Sequence, residues 1–133
     1  MSAEKIRQSM ENLGRALERL NEALQEDRTT FMIDATIQRF EFSIELFLKT
    51  LKRQLAYEGI ESITPRETMK YAYKIGWLRE EGLWLDMLDD RNRTSHIYNE
   101  EIANEIYDHI KNYHKELIHT YRFLADRYSD LLS

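Results

Sequence analysis

Arg91, Asn92, Arg93, Ser95, His96 and Tyr98 fall within one eight-residue stretch, Arg91–Tyr98. Arginine neutralises phosphate with a planar fork of donors. Histidine exchanges a proton near neutral pH. Tyrosine carries a hydroxyl open to covalent modification, and asparagine and serine add hydrogen-bonding groups. No other segment of the chain gathers so much potential chemistry.

The spacing sets conditions on the local backbone. Arg91 and His96 lie five positions apart, about 140° of rotation on a continuous helix, so they would not stand side by side there. A helix that loosens after Arg93 would turn both towards one surface. An arginine four to six residues ahead of a histidine arises roughly once by chance in a chain of this composition. The information therefore lies in the extended form, with Asn92 directly after the arginine and Tyr98 two residues after the histidine.

The rest of the chain must position that stretch. Its 133 residues are read as a single domain, 1–133, with room for a core. There is no cysteine, hence no disulfide, thiol nucleophile or thiolate metal site, which fits a cytoplasmic setting. The first residues show no apolar signal segment. Apolar runs are far shorter than the roughly 20 residues that span a bilayer, so no membrane partner is expected. A formal net charge of −5 argues against a protein that coats DNA or other nucleic acid through its whole surface. Any RNA or nucleotide contact must be local, in a cleft.

One proline and four glycines point to long helices with few turns. Ile6, Met10, Leu13, Leu17, Leu20 and Leu24 recur at steps of four and three. Phe40, Ile44, Leu48, Leu51 and Leu55 do the same. Ile102, Ile106, Ile110, Tyr113, Leu117, Tyr121, Leu124 and Tyr128 form a third stripe. Asp27–Thr30 separates the first two helices, with either threonine able to cap the second. Gly59 closes the second helix. Thr64-Pro65-Arg66-Glu67 opens a third with a capping box and a proline at the first helical position. Gly76 and Gly82 bracket the link to a fourth helix, about Leu83 to Thr94, and Asn99 caps the fifth. The fold class expected is all-α, an antiparallel up-and-down bundle of about five helices, three long and two short.

The pattern from Arg91 and Asn92 through His96 to Tyr98 resembles the R-x(4)-H-x-Y motif of HEPN-domain proteins. The wider chain is similar to the subfamily of nucleotidyltransferase substrate-binding proteins. Arg39-Phe40-Glu41-Phe42 with Glu45 and Lys49-Thr50-Leu51 resembles that subfamily's second helix. Pro65-Arg66-Glu67 resembles its third, and Trp84, Met87-Leu88 and Asp90-Arg91-Asn92 its approach to the motif. The resemblance implies a homodimer and a minimal nucleotidyltransferase as partner. In one version the protein is a metal-independent RNase toxin, with Arg91 and His96 catalytic, Asn92, Arg93 and Ser95 supporting, and Tyr98 silenced by attachment of AMP. In the other it is a non-catalytic subunit that presents a nucleotide or substrate. Neither version requires a cofactor beyond a nucleotide ligand.

Plainer readings compete at each position. Arg91, after Asp89-Asp90, would serve surface ion pairs. His96 would cap a helix or join the core, and Tyr98 would be one more amphipathic wall residue. Tyr107, Tyr113, Tyr121 and Tyr128 are expected to pack rather than stack bases. Glu45 and Lys49 suit a helical i, i+4 ion pair, against a reading of Glu41 and Glu45 as paired catalytic carboxylates. His109, His114 and His119 are spaced five and five, not the i, i+4 of a helical metal site, so no metal is expected. Lys49, Lys52, Arg53, Arg66, Lys70 and Lys74 form either a solvated face or a phosphate-facing rim.

Overall fold

The structure is a computed structural model that describes residues 3–132. Its elements are α1 (Ala3–Gln25), α2 (Thr30–Tyr57), α3 (Pro65–Lys74), α4 (Glu81–Arg93), a 3₁₀ turn (Thr94–His96), α5 (Glu100–Arg127) and the single turn α6 (Ser129–Leu132). No strand occurs among the described residues. The five helices read from the sequence are present, and the 3₁₀ turn and α6 are additions to them.

Contacts along the helices fix their directions. Ser43 Oγ lies 3.4 Å from the Ala16 carbonyl, and Arg53 donates to Ser9 Oγ at 2.5 Å, so α1 and α2 run antiparallel. Tyr121 of α5 donates to the Met10 carbonyl of α1 at 3.3 Å, which makes that pair antiparallel with α2 and α5 parallel to each other. Phe40 stacks on Tyr113 with ring centroids 5.6 Å apart, and Tyr128 Oη lies 3.5 Å from the Gln54 carbonyl, in the same sense. Trp84 meets Phe47 edge-on at 5.0 Å and donates to Glu116 at 3.4 Å, which runs α4 against both α2 and α5. The result is up, down, up, down for α1, α2, α4 and α5. The short helix α3 packs on α2 and α4.

The apolar stripes are what this packing buries. Ile6, Met10, Leu13, Leu17 and Leu20 of α1, Phe40, Ile44, Leu51 and Leu55 of α2, and Ile106, Ile110, Leu117 and Leu124 of α5 are all 0–1% exposed. Leu24, Ile102 and Tyr121 are only partly buried at the margin. Tyr107, Tyr113 and Tyr128 pack in the core as expected. Burying a side chain of this size stabilises by about 1.5–3 kcal/mol relative to leaving it in water, so the three stripes supply most of the drive to fold.

Helix ends follow their sequence signals closely. Thr29 accepts from Met32 N, and Thr64 accepts from Glu67 N. Glu67 returns the bond one residue further back than a standard box, to Ile63 N at 2.7 Å. Gly59 and Gly76 take φ of +86° and +85°, the left-handed conformation that closes α2 and α3. Gly82 departs from the expected boundary and lies in the first turn of α4, which begins at Glu81. Amides there have no intrahelical partner to lose, so the two ends of the link differ in their demand for glycine.

His114 faces α1 from α5, where its buried Nε2 has no hydrogen-bond partner. Burial lowers its pKa from the usual 6.5, against a smaller opposite effect of a backbone hydrogen bond with Leu17. The unfolded chain therefore takes up this proton at a higher pH than the folded one. The contribution of neutral His114 is present above the unfolded value and is lost as pH falls through the folded value. The drop in melting temperature between about pH 7 and 5 should be smaller in His114→Gln than in the parent. Superimposable pH profiles of the two proteins would contradict this account.

Candidate functional site

The last turn of α4 divides its side chains between core and surface. Trp84, Met87, Leu88 and Asp90 are buried. Asp90, a carboxylate only 3% exposed, is held from three sides. Arg93 donates to its Oδ1 at 3.1 Å, while His109 Nδ1 lies 2.7 Å and Tyr113 Oη 2.5 Å from Oδ2. A buried carboxylate costs free energy unless its lone pairs are satisfied. Here the partners come from both α4 and α5, so satisfying Asp90 ties the two helices together just before the chain leaves α4. Burial, and then the hydrogen bond to Asp90, push the Tyr113 hydroxyl well above its ordinary pKa. Arg93 also reaches Glu105 at 2.7 Å, and that bond holds the Glu105 carboxyl below its usual range.

Beyond Arg93 the helix tightens into the 3₁₀ turn Thr94–His96. Thr94 Oγ1 lies 2.8 Å from the Arg91 carbonyl and 3.2 Å from Glu41 Oε2 on α2. Its single proton serves one of these acceptors at a time. Ile97 packs against the core and anchors the segment. Asn99 Oδ1 then caps α5 by accepting from Glu101 N at 3.0 Å and Ile102 N at 3.2 Å. Glu100 and Glu101 occupy the first turn, where negative charge favours the helix dipole.

The segment so anchored presents its reactive groups outward. Ser95 and His96 are exposed, and Tyr98 is 81% exposed. Tyr98 Oη lies 3.5 Å from His96 Nδ1, and the two rings meet edge-on at 5.9 Å. Beside Tyr98 is a recess of about 200 Å³ lined by Thr30, Ile33, Asp34, Ile97 and Asn104 among others. Arg91 is half-buried, and its guanidinium donates only to the neighbouring Asn92 Oδ1 at 3.3 Å. No hydrogen bond or ring contact joins Arg91 to His96 among the described residues.

The surface ion pair expected of Arg91 is therefore absent: Asp89 lies 3.9 Å from Arg66, and Asp90 belongs to Arg93. His96 is not a core residue, and Tyr98 is not a wall residue. The expected Glu45–Lys49 ion pair does not form either. Glu41 Oε2 meets Thr94 on the exposed segment. Arg93, read from sequence as a supporting cation, is the most committed of the six residues, with both neighbouring acids bound to it. His109 serves Asp90, and no group of three His, Asp or Glu suited to a metal occurs among the described residues. Sequence reasoning missed the Asp90–His109–Tyr113 network. Its one legible signal was His109 and Tyr113 at i, i+4 on one face of the last helix.

A model of the family described as "Nucleotidyltransferase substrate binding protein like" matches residues 8–126. The chain belongs to this family. The match spans α2, α3, α4 and the exposed segment, the parts that carried the resemblance in the sequence. A curated relative, "Probable ribonuclease HepT" of Haemophilus influenzae, is 33% identical over 87 residues, 62% of this chain and 60% of that protein. The chain thus spans about three-fifths of the length of the curated relative it matches. A crystal structure of a Thermus thermophilus protein superposes with a TM-score of 0.77 at 38% identity, covering 81% of this chain and 94% of that one. A Haemophilus influenzae structure, described as the fold of a substrate binding domain of a nucleotidyltransferase, superposes with a TM-score of 0.68 at 25% identity. It covers 92% of this chain and 98% of that one. Within this nucleotidyltransferase substrate-binding family, the helical architecture found here is thus shared with solved structures.

The geometry separates two kinds of polar residue by what their loss would cost. Asp90→Ala removes the acceptor of His109 and Tyr113, leaves Arg93 with Glu105 alone, and should destabilise the protein by about 3 kcal/mol. His96→Ala removes an exposed ring and should stay within about ±0.5 kcal/mol. Urea unfolding of the two variants measures both. A large loss for His96→Ala would make that ring structural, and a negligible loss for Asp90→Ala would remove the network from any structural role.

Proposed function

We propose that residues 1–133 act as a single HEPN-like domain in a cytoplasmic two-component system with a minimal nucleotidyltransferase, and that the domain is a metal-independent RNase working as a homodimer. The observation that carries this reading is the exposed segment itself: Arg91 without an acidic partner, His96 in solvent, and Tyr98 within reach of His96. The family assignment and the relative named as a ribonuclease support it.

The chemistry needs three functions. The RNA 2′-oxygen attacks the adjacent phosphorus while the bond to the 5′-oxygen breaks. A base accepts the 2′-hydroxyl proton, an acid returns one to the leaving oxygen, and a cation stabilises the charge on the phosphate. His96 is the proton-transfer group and Arg91 the cation, through paired N–H donors. Asn92 and Ser95 orient the substrate. Arg93, neutralised by Asp90 and Glu105, holds the segment instead of meeting RNA. One chain supplies one such histidine, whereas a two-fold dimer supplies two, one for each proton.

Silencing follows from modification of Tyr98. Its oxygen attacks the α-phosphorus of ATP held by the partner, pyrophosphate leaves, and AMP remains on the tyrosine. The new phosphate would sit close to His96 and pair with the free guanidinium of Arg91, in the place an RNA phosphate needs.

A second reading is a non-catalytic subunit that presents a nucleotide or substrate to the nucleotidyltransferase, and it is favoured by the family's description and by that of the Haemophilus structure. Expression without the partner separates the two. Growth arrest and RNA cleavage that fall at least about 100-fold in His96→Ala, with folding intact, indicate the nuclease. Normal growth and intact RNA would leave the presenting subunit. Incubation with the partner, ATP and Mg²⁺ should add the mass of AMP to the parent chain and not to Tyr98→Phe. Labelling that persists in Tyr98→Phe would place the modification elsewhere.

A further inference from the structure

Many of the arginines of this chain are neutralised within it. Arg7, Arg28, Arg79, Arg93 and Arg127 each have an acidic partner. Against that background one surface near the exposed segment gathers two arginines without an acidic partner among the described residues. A groove of about 330 Å³ between α1 and α2 is lined by Arg19, Arg39, Lys49, Phe42, Glu45 and Leu46 among others. None of its three cations has an ion-pair or hydrogen-bond partner among the described residues, and Phe42 is 49% exposed. On a protein of formal charge −5 this is a local excess of unsatisfied positive charge around an accessible ring.

The register of the helices arranges these groups along a line. The Ser43–Ala16 contact sets α1 against α2 so that Arg19 stands nearly level with Arg39. Lys49 lies ten residues further along α2, about 15 Å at the rise of an α-helix. Phe42 is between them, one turn past Arg39. Cations separated by that length suit successive phosphates of a strand better than the single phosphate cluster of a mononucleotide. An exposed ring between them is a surface on which a base can stack, the combination found in single-strand binding grooves. The groove also adjoins the exposed segment: Glu41, the residue before Phe42, is the one that meets Thr94. Turning about α2 from Glu41 through Glu45 and Lys49 to Phe42 covers only about 100°. Glu45 stands on the side nearest that segment, where its carboxylate can accept from a base amino group or a 2′-hydroxyl but repels a phosphate.

We propose that this groove binds single-stranded RNA flanking the position held by Arg91 and His96, with phosphates on Arg19, Arg39 and Lys49 and a base on Phe42. The proposal rests on RNA being the ligand of the exposed segment, but not on this chain cutting it. The sequence alone pointed to a different cationic group. In the structure Arg53 of that group is taken by Ser9, and Arg66 lies near Asp89. Lys49 instead joins Arg39, ten residues before it on α2, and Arg19 of α1.

The test uses the full chain carrying His96→Ala, so that binding is read without cleavage, and a fluorescein-labelled single-stranded RNA of about 12 nucleotides. Anisotropy titrations across salt concentrations compare this background with Arg19→Gln/Arg39→Gln/Lys49→Gln. A control, Lys70→Gln/Lys74→Gln/Lys115→Gln, removes the same charge elsewhere. The groove variant should bind at least about tenfold more weakly, and its slope of log K against log salt should flatten by about 2, near 0.7 per lost phosphate contact. The control should stay within about twofold, and Phe42→Ala should weaken binding by about tenfold at unchanged slope. If the triple variant fails to melt like the parent, Arg19→Gln and Lys49→Gln singly should each flatten the slope by about 0.7. No RNA binding by the His96→Ala background, or equal losses in both triple variants, would each overturn the proposal. Groove-dependent binding by a chain that neither cuts RNA nor arrests growth would uphold the groove and reject the nuclease. Undiminished cleavage with Arg19, Arg39 and Lys49 all replaced would do the reverse.

Discussion

The buried carboxylate of Asp90 is the constraint around which the exposed segment is organised. It is only 3% exposed, so its oxygens depend on protein donors, and they are met by Arg93 on one side and by His109 and Tyr113 on the other. Two of those donors belong to α5 and one to α4. A polar group that is costly to strand thus does what an apolar contact cannot: it fixes the rotation of α4 about its own axis as well as its distance from α5. Arg91, two positions before Arg93 and about 200° away on the helix, is then turned away from that network. The guanidinium that stays free and the one that is consumed are set by a single orientation.

The same anchoring explains how three exposed residues can follow without loosening the fold. The 3₁₀ turn has few contacts of its own. It is held by Thr94 at Glu41, by Ile97 against the core and by the cap at Asn99. Ser95, His96 and Tyr98 are the positions left over between these fixed points. Exposure is what an acid–base group or a modified hydroxyl requires, and three of the other tyrosines show the contrast. Tyr107, Tyr113 and Tyr128 are buried, and burial pushes the Tyr128 hydroxyl up to about 12. A hydroxyl in that state cannot be reached by a second enzyme's active site.

The fold was legible in the sequence wherever the signal is local. Apolar steps of three and four, threonine caps, Pro65, and the glycines at the ends of α2 and α3 each act over a few residues, and each is where the sequence placed it. The exposed segment was legible for the same reason, since Arg91 through Tyr98 are contiguous. What the sequence hid depends on partners brought together across helices. The i, i+4 rule suggested Glu45 with Lys49, but such a pair is worth only a few tenths of a kcal/mol on a solvated face, too little to decide a side-chain position. Asp89-Asp90 looked like ordinary surface charge beside Arg91. Nothing within ten residues of Asp90 shows that it faces inward, because what makes that tolerable is His109 and Tyr113, on a helix that begins at Glu100. Arg19 and Arg39 escaped notice likewise: twenty residues and a turn separate them in sequence, and only the α1–α2 register makes them neighbours.

Net charge and local charge then carry different kinds of information. A total of −5 describes how the molecule behaves at a distance, where screening averages the surface within a Debye length of roughly 10 Å. Recognition of an anion is decided at closer range, by cations that no internal acid has already claimed. Many arginines here are claimed, Arg93 twice over. Two places beside the exposed segment keep theirs, Arg91 at the end of α4 and the group of Arg19, Arg39 and Lys49 on the α1–α2 face, with Glu41 reaching from the second place towards the first. A phosphate settles where unclaimed cations gather, and the negative charge of the remaining surface disfavours it elsewhere. The overall charge that argues against general nucleic-acid affinity is therefore the same property that would confine an anionic ligand to such sites.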